Sequence, residues 1–479
     1  MPRMQPFLRD GGLLYEAVAR QLAEAIGSGR VKAGEKLPSV RTLSRQYRVS
    51  ISTAVQAYRH LENKRLIEAR PKSGFFAAHA RPAMAEPQVS KPSAARFVVT
   101  TPIGVEYFAA LNDRSLIPLG SLQTDASLFP TARLAGLLGS MARRHHESIG
   151  RYSPPIGQEK LRRAIARRAL ENGCSFDAAD VMITDGCVEA LNLALRAVAR
   201  AGDTIALESP SYFVMLQMIE SLGMKALEIP THPRTGMSLE ALDLATQKRG
   251  AVRAVMATPS FTNPLGCLMP DANRQALVAM CEARGIPLIE DDVYGDLHFE
   301  GSRPLPAKAW DRTGNVLLCS SFSKTLAPGL RVGWVAAGRF QEKVTVLKRI
   351  ASIFTPPLPQ LALAEFLESG GYDHQLRRLR REMHERAQRL VALVGESFPA
   401  GTKLARPSGG YVLWVELPAK ANTVELFRRA RDEGILIAPG PVFTNTGRFR
   451  NALRFSFGTP MSPAAEQAIA RVGRMAAQA

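Results

Sequence analysis

At 479 residues the chain is longer than one hydrophobic core usually supports, and its 46% hydrophobic content can fill two or three domains. No run of eighteen or more uncharged apolar residues occurs, and the start, Met1-Pro2-Arg3-Met4-Gln5-Pro6, lacks an apolar stretch, so neither a membrane span nor a secretory leader is expected. The formal charge of +19 calls for a polyanionic partner, and its placement is informative: residues 1–79 carry fourteen Lys/Arg against six Asp/Glu.

In the first eighty residues Leu14, Val18, Leu22 and Ile26 recur every four positions, which predicts an amphipathic helix ending near Gly27 and Gly29. Gly34 and Pro38 punctuate a loop, and Ser39 caps a short helix, Val40 to Tyr47, followed by Arg48. Ser50 caps a third helix with Val55, Tyr58 and Leu61 inward and Ile51, Ser52 and Thr53 outward on its first turn. Leu66 to Ala77 reads as a two-stranded wing with a basic turn at Lys72-Ser73-Gly74. Two short helices with a tight connection form a helix-turn-helix, which sets the start of its second helix against base edges. Arg41, Arg45, Arg48 and Lys72 then meet phosphates, and Ser50, Ser52, Thr53 and Gly74 lie at the same face.

The motif Leu37-Pro38-Ser39-Val40-Arg41-Thr42-Leu43-Ser44, with Val49-Ser50, Thr53-Ala54-Val55, Tyr58, Leu61-Glu62 and Gly74-Phe75-Phe76, resembles the GntR-type winged helix. Many relatives place a basic or polar residue after the serine that opens the recognition helix; Ile51 stands there in this chain. The resemblance implies promoter DNA as partner and assigns residues 11–79 to the DNA-binding domain. From Ala80 the chain turns Ala/Pro/Ser/Lys-rich, and a linker over 80–104 is expected.

Beyond it, apolar segments alternate with helical ones. Strands are predicted at Val181–Thr184, Thr204–Leu207, Ala254–Thr258, Pro287–Glu290, Val316–Cys319 and Val332–Ala336, with helices at Glu189–Arg200 and Asp271–Arg284 among those between them. The expectation is an α/β domain over 105–479 with a mostly parallel central sheet and ligands at the strand ends. Arg-rich helices and strands at Gly410–Glu416 and Ala452–Ser456 make a smaller α+β lobe, about 341–479. Cys174, Cys187, Cys267, Cys281 and Cys319 form no C-x-x-C pair, and no His cluster has ligand spacing, so neither a metal site nor a disulfide framework is expected and a cytoplasmic location fits. His145-His146 reads as solvated surface.

Several strand ends carry chemistry. Thr184-Asp185-Gly186-Cys187-Val188-Glu189 turns from strand to helix, a start whose free N–H groups suit a phosphate. Glu208-Ser209-Pro210-Ser211-Tyr212 sets an aromatic face past a strand, and Asn263, in Thr258 to Gly266, can donate to a phenolic oxygen. Ile289-Glu290-Asp291-Asp292-Val293-Tyr294 offers a carboxylate that can keep a pyridine nitrogen protonated, or a helix-capping acidic pair. Ser320-Ser321-Phe322-Ser323-Lys324-Thr325, with Arg331 seven residues beyond the lysine, joins a desolvated amine to an anion-binding set. An aldehyde cofactor bearing a phosphate needs both, and pyridoxal 5′-phosphate (PLP) answers. Arg454, in Leu453-Arg454-Phe455-Ser456, sits between apolar neighbours and needs an anion such as a carboxylate.

In this order the pieces closely resemble class I/II aminotransferases of fold type I over roughly 120–460. The resemblance implies that Lys324 forms the Schiff base, Asp291 pairs with the pyridine nitrogen, Asn263 and Tyr294 bind the phenolic oxygen and Tyr212 stacks on the ring. It places Gly186, Cys187, Ser321, Ser323 and Arg331 around the phosphate and a substrate or effector carboxylate on Arg454. Tyr152, in Arg151-Tyr152-Ser153-Pro154, matches a tyrosine that in the family often reaches the phosphate across a homodimer interface. Cys187 departs from the Ser or Ala of many relatives. A GntR-type winged helix linked to such a domain is the architecture of the MocR subfamily of bacterial transcriptional regulators. That implies a PLP-dependent regulator sensing an amine, an amino acid or PLP itself; a working aminotransferase with an accessory DNA-binding module is the alternative reading.

Overall fold

The computed structural model describes residues 14–27, 30–32, 34–63, 66–70, 73–77 and 84–478. Two compact units divide between Ala83 and Met84.

The first unit contains α1 (Leu14–Gly27), α2 (Val40–Tyr47), α3 (Ile51–Asn63) and a hairpin of β1 (Ile67–Arg70) and β2 (Gly74–Ala77). The second and third helices start where a hydroxyl takes an orphan amide: Thr42 N–H donates to Ser39 Oγ (3.2 Å) and Thr53 N–H to Ser50 Oγ (3.1 Å). Arg48 turns the chain between them in the left-handed region (φ 53°). Val18, Leu22, Ile26, Leu43, Ala54, Ala57, Tyr58 and Leu61 share the core. Two expectations change. Leu14 begins the first turn at the edge and is 53% exposed, and Val55 is half-buried because Ala54 and Ala57 let α3 approach its neighbours closely. Tyr58 is the central plug: its ring stacks on Phe75 (4.4 Å) and its hydroxyl donates to the Pro38 carbonyl (2.5 Å).

In the second unit the main sheet takes β3 (Arg96–Phe97), β4 (Val181–Thr184), β5 (Thr204–Ser209), β6 (Lys225–His232), β7 (Gly236–Met237), β8 (Ala254–Ala257), β9 (Leu288–Asp291), β10 (Val316–Ser321) and β11 (Gly333–Ala336). In space the order is β3-β6-β5-β8-β9-β10-β11-β4, with β7 folded back on β6. From β6 through β10 the strands are parallel; β11 reverses and β4 pairs antiparallel with it. The parallel strands are buried on both faces, as their near-continuous apolar runs require. Early helices are α4 (Pro102–Ala110), α5 (Thr131–Arg144), α6 (Glu159–Glu171), α7 (Cys187–Val198) and α8 (Phe213–Ser221). A smaller antiparallel sheet, β12 (Lys403–Leu404), β13 (Val412–Glu416), β15 (Ala452–Ser456) and β14 (Ala438–Pro439) in spatial order, packs with the long helix Gly371–Ser397 and the last helix, Pro463–Ala476.

The stretch expected as linker is partly structured where it is described. β3 pairs with β6, α4 opens at Pro102 within the expected linker, and Gln88 N–H donates to Glu416 (2.9 Å). Its proline-rich backbone has few local bonds to make, so it takes partners from the sheet edge instead.

Removing the Tyr58 hydroxyl isolates that plug's polar bond. Tyr58→Phe should lower the opening free energy of α3 amides by about 1 kcal/mol and Tyr58→Ala by about 3–5 kcal/mol, read by hydrogen exchange on the full chain.

Candidate functional site

The candidate residues converge at the carboxyl ends of the parallel strands, where an open α/β sheet places ligands. Asp291 closes β9, Lys324 and Ser323 follow β10, Tyr212 follows β5, and Asn263 lies in the loop after β8. Gly186 caps α7, with Cys187 as its first residue.

Lys324 is half-buried, and its Nζ donates to the Leu122 carbonyl (3.0 Å). Desolvation, reinforced by the Arg454 and Arg331 charges, lowers its amine to about 8; Asp291 pulls the other way. Its own carbonyl accepts from Tyr411 Oη (2.7 Å), and the hydroxyl of neighbouring Thr325 bonds Tyr372 Oη (2.8 Å), which itself donates to Asp296 (2.9 Å), so the loop is held on both sides of the lysine.

Asp291 is buried, and desolvation raises its carboxyl to about 6. Oδ1 accepts from Cys187 Sγ (3.4 Å) and from Val293 N–H (3.3 Å), both favouring the ionised form. The adjacent Asp292 does not cap a helix: it pairs with Arg303, which also holds Asp296 (2.8 Å). The two acids therefore face different partners although they are neighbours in sequence. Burial raises the phenols of Tyr212 and Tyr294, and the Asp291 charge adds to the rise in both.

The loop expected to hold an anion is built by close approach. Gly186 has φ +85°, and any side chain there would collide with the Arg331 guanidinium. Arg331 donates to the Asp185 carbonyl (3.0 Å) and to Ser323 Oγ (3.4 Å), while Ser323 N–H donates to Ser321 Oγ (3.4 Å). Glu189 steadies the turn from behind, accepting from Asp185 N–H (2.6 Å) and from the buried Lys348 Nζ (2.8 Å).

Arg454 is fully buried, and among the described residues no carboxylate pairs with it. It donates to Asn263 Oδ1 (3.0 Å), the Gly120 carbonyl and Tyr107 Oη (3.3 Å), stands over the Phe443 ring (5.0 Å), and leaves its Nε without a partner. Asn263 Nδ2 is likewise buried and unbonded. A lone buried cation, an orphan amide donor, a glycine–arginine cradle and a buried carboxylate make a donor set that fits PLP and an amino-acid carboxylate.

Tyr152 stands apart: it is 82% exposed, with its ring edge-on to Phe354 (5.8 Å). In the first unit Arg41, Arg45, Arg48, Ser50, Ser52 and Gly74 are exposed and Thr53 is half-buried. Lys72 lies outside the described residues. Tyr107, Gly120, Leu122 and Tyr411 are functional candidates that sequence reading missed. Leu122 and Gly120 act through backbone carbonyls, which carry no residue-type signal, and Tyr107 meets an arginine 347 positions away.

Comparison with known proteins bears on both units. Residues 14–77 match Bacterial regulatory proteins, gntR family, and residues 115–471 match Aminotransferase class I and II. The "Uncharacterized HTH-type transcriptional regulator YjiR" of Escherichia coli (strain K12) is 38% identical over 460 residues, covering 96% of this chain and 98% of that one. The 2-aminoadipate transaminase of Thermus thermophilus is 33% identical over 353 residues, 72% of this chain and 86% of the transaminase. The crystal structure of LysN, an α-aminoadipate aminotransferase from the same species complexed with N-(5′-phosphopyridoxyl)-L-leucine, aligns with TM-score 0.70 at 29% identity, covering 79% of this chain and 94% of that one.

Fold and site thus define a DNA-binding transcriptional regulator that joins a GntR-type winged helix to a PLP-dependent, fold-type I aminotransferase domain. The chain belongs to the MocR subfamily of GntR-type regulators. Among the described residues no helix is long and apolar enough to cross a membrane.

A lysine at about 8 is roughly one-tenth neutral at pH 7, against about one part in three thousand at an ordinary 10.5. The rate at which cofactor-free protein takes up PLP should therefore rise with pH and level off just above 8. Stopped-flow absorbance across pH 6 to 10 checks it; a rise continuing to pH 10 would show an unperturbed amine.

Proposed function

We propose that the aminotransferase-like domain is the receptor of the regulator, that its effector is an amino acid, and that the effector's carboxylate binds Arg454. The observation that carries this reading is the buried Arg454 guanidinium with no carboxylate beside it among the described residues.

PLP, when bound, supplies an aldehyde that captures amines and a ring that withdraws electrons from them. Lys324 would hold it covalently, Asp291 would face the pyridine nitrogen, and Asn263 with Tyr294 would face the phenolic oxygen. Tyr212 would lie against the ring, with Gly186, Cys187, Ser321, Ser323 and Arg331 at the phosphate. The exposed Tyr152, with Ile149, Ile350 and Ile353 also exposed nearby in sequence or on adjoining elements, supports a homodimer in which each copy's tyrosine reaches the other's phosphate. We assign residues 11–79 to DNA, 80–104 to the connection and 105–479 to the receptor, in a cytoplasmic protein.

Transduction would run through the segment Ile117–Asp125. Its backbone is bonded to the smaller lobe: Gly120 N–H donates to Leu436 O (2.6 Å), Ser456 N–H to Leu119 O (2.7 Å) and Asp125 N–H to Gly458 O (3.2 Å). Two carbonyls of the same segment cap the two cations of the site, Gly120 on Arg454 and Leu122 on Lys324. A carboxylate at Arg454 would compete with Gly120, and a lysine held to PLP would no longer donate to Leu122. Ligand states therefore differ in which carbonyls are held, the differential affinity that a population shift requires. Gly120 also lies so close to Ile437 and Ala438 that no side chain fits, so the segment moves with those strands or not at all.

Three measurements check this reading. Lys324→Ala protein should lose the visible absorbance of covalently held cofactor after dialysis, while retention of that band would refute the lysine's role. Transamination at ordinary enzymatic rates would favour the enzyme reading instead. On the DNA side, Arg41→Ala should weaken promoter binding evenly across sequences and reduce the salt slope by about 1; a loss confined to one base position would make Arg41 a base reader.

A further inference from the structure

We propose that Ile51 reads the 5-methyl group of a thymine, so that the operator carries a T·A pair beneath the first turn of α3. This rests on the DNA-binding role of the winged helix and adds to it a sequence preference.

Ile51 is the first residue of a thirteen-residue helix and is 56% exposed, although it is β-branched and apolar. Ser50 and Ser52 carry no methyl group, and Thr53, which does, is half-buried where Ile51 is exposed. Ser50 Oγ is engaged by Thr53 N–H (3.1 Å) and by the hydroxyls of Ser52 (2.7 Å) and Thr53 (2.8 Å), so three hydroxyls are gathered at the helix cap. Arg41, Arg45 and Arg48 are exposed and, among the described residues, make no ion pair, which leaves them free for phosphates on either side. A helix-turn-helix presents the N-terminal residues of its second helix to base edges in the major groove. On those edges the thymine methyl is the one apolar substituent large enough to fill against an isoleucine, the rest being hydrogen-bonding groups and small ring C–H positions. A guanine or cytosine in its place would lose hydration against an aliphatic surface and gain no bond.

The test isolates one methyl group. Full-length protein selects sequences from a randomised duplex pool, and each thymine of a selected duplex is then replaced by deoxyuridine. We expect a thymine whose replacement weakens binding about fourfold, the effect of one buried methyl, and whose replacement leaves Ile51→Ala protein unaffected. Ile51→Arg should move the selected base at that position from T to G. Equal deoxyuridine sensitivity in wild-type and Ile51→Ala protein, or no sensitive thymine in wild type, overturns the proposal while leaving DNA binding intact. A pool from which no sequence is enriched would defeat the DNA-binding role itself, and the proposal with it.

Discussion

A guanidinium buried to zero exposure, facing a carbonyl, an amide and a phenol rather than a carboxylate, is the constraint around which the aminotransferase-like unit is organised. Removing an unpaired charge from water costs several kcal/mol, and neutral acceptors return only part of it. Three acceptors and the Phe443 face hold Arg454 in place, yet Nε remains unpartnered. The arrangement is stable enough to fold and incomplete enough to favour an anion. Lys324 has the converse problem, a cation pushed toward neutrality by burial, by the same arginine and by Arg331. On the proposed reading, one site thus holds a cation that a carboxylate would complete and an amine that an aldehyde would capture.

Both groups meet the backbone of one irregular segment, where the proposed transduction would begin. Ile117–Asp125 has no helix or strand of its own over most of its length and takes its bonds from the smaller lobe. A side-chain latch would tolerate many substitutions. A carbonyl latch instead depends on the path of the chain, which is why Gly120 is wedged where no Cβ fits.

Regular elements were legible because their physics is local. The Ser39 cap and the apolar spacing set α2 at Val40–Tyr47, and Ala452–Ser456 and Asp271–Arg284 match their predicted ends. Burial was less so. Leu14 keeps the helical period but lies past the end of the core, and Val55 yields to two alanines that the pattern passed over. A cofactor set could be proposed from sequence because each residue type carries its chemistry. Gly120, Leu122 and the Cys187–Asp291 bond could not, since long-range backbone contacts and a 104-residue separation leave no periodic trace.

The most direct measurement compares an amino acid with the amine formed by removing its carboxylate. Affinity of the PLP-loaded protein for its promoter DNA is titrated with each member of such pairs, in wild type and in Arg454→Lys. If Arg454 is the effector's anchor, an amino acid shifts wild-type affinity several-fold, its decarboxylated partner does not, and the shift is lost in Arg454→Lys although cofactor absorbance is unchanged. An equal response to both members of the pair, or a full response in the variant, would contradict it.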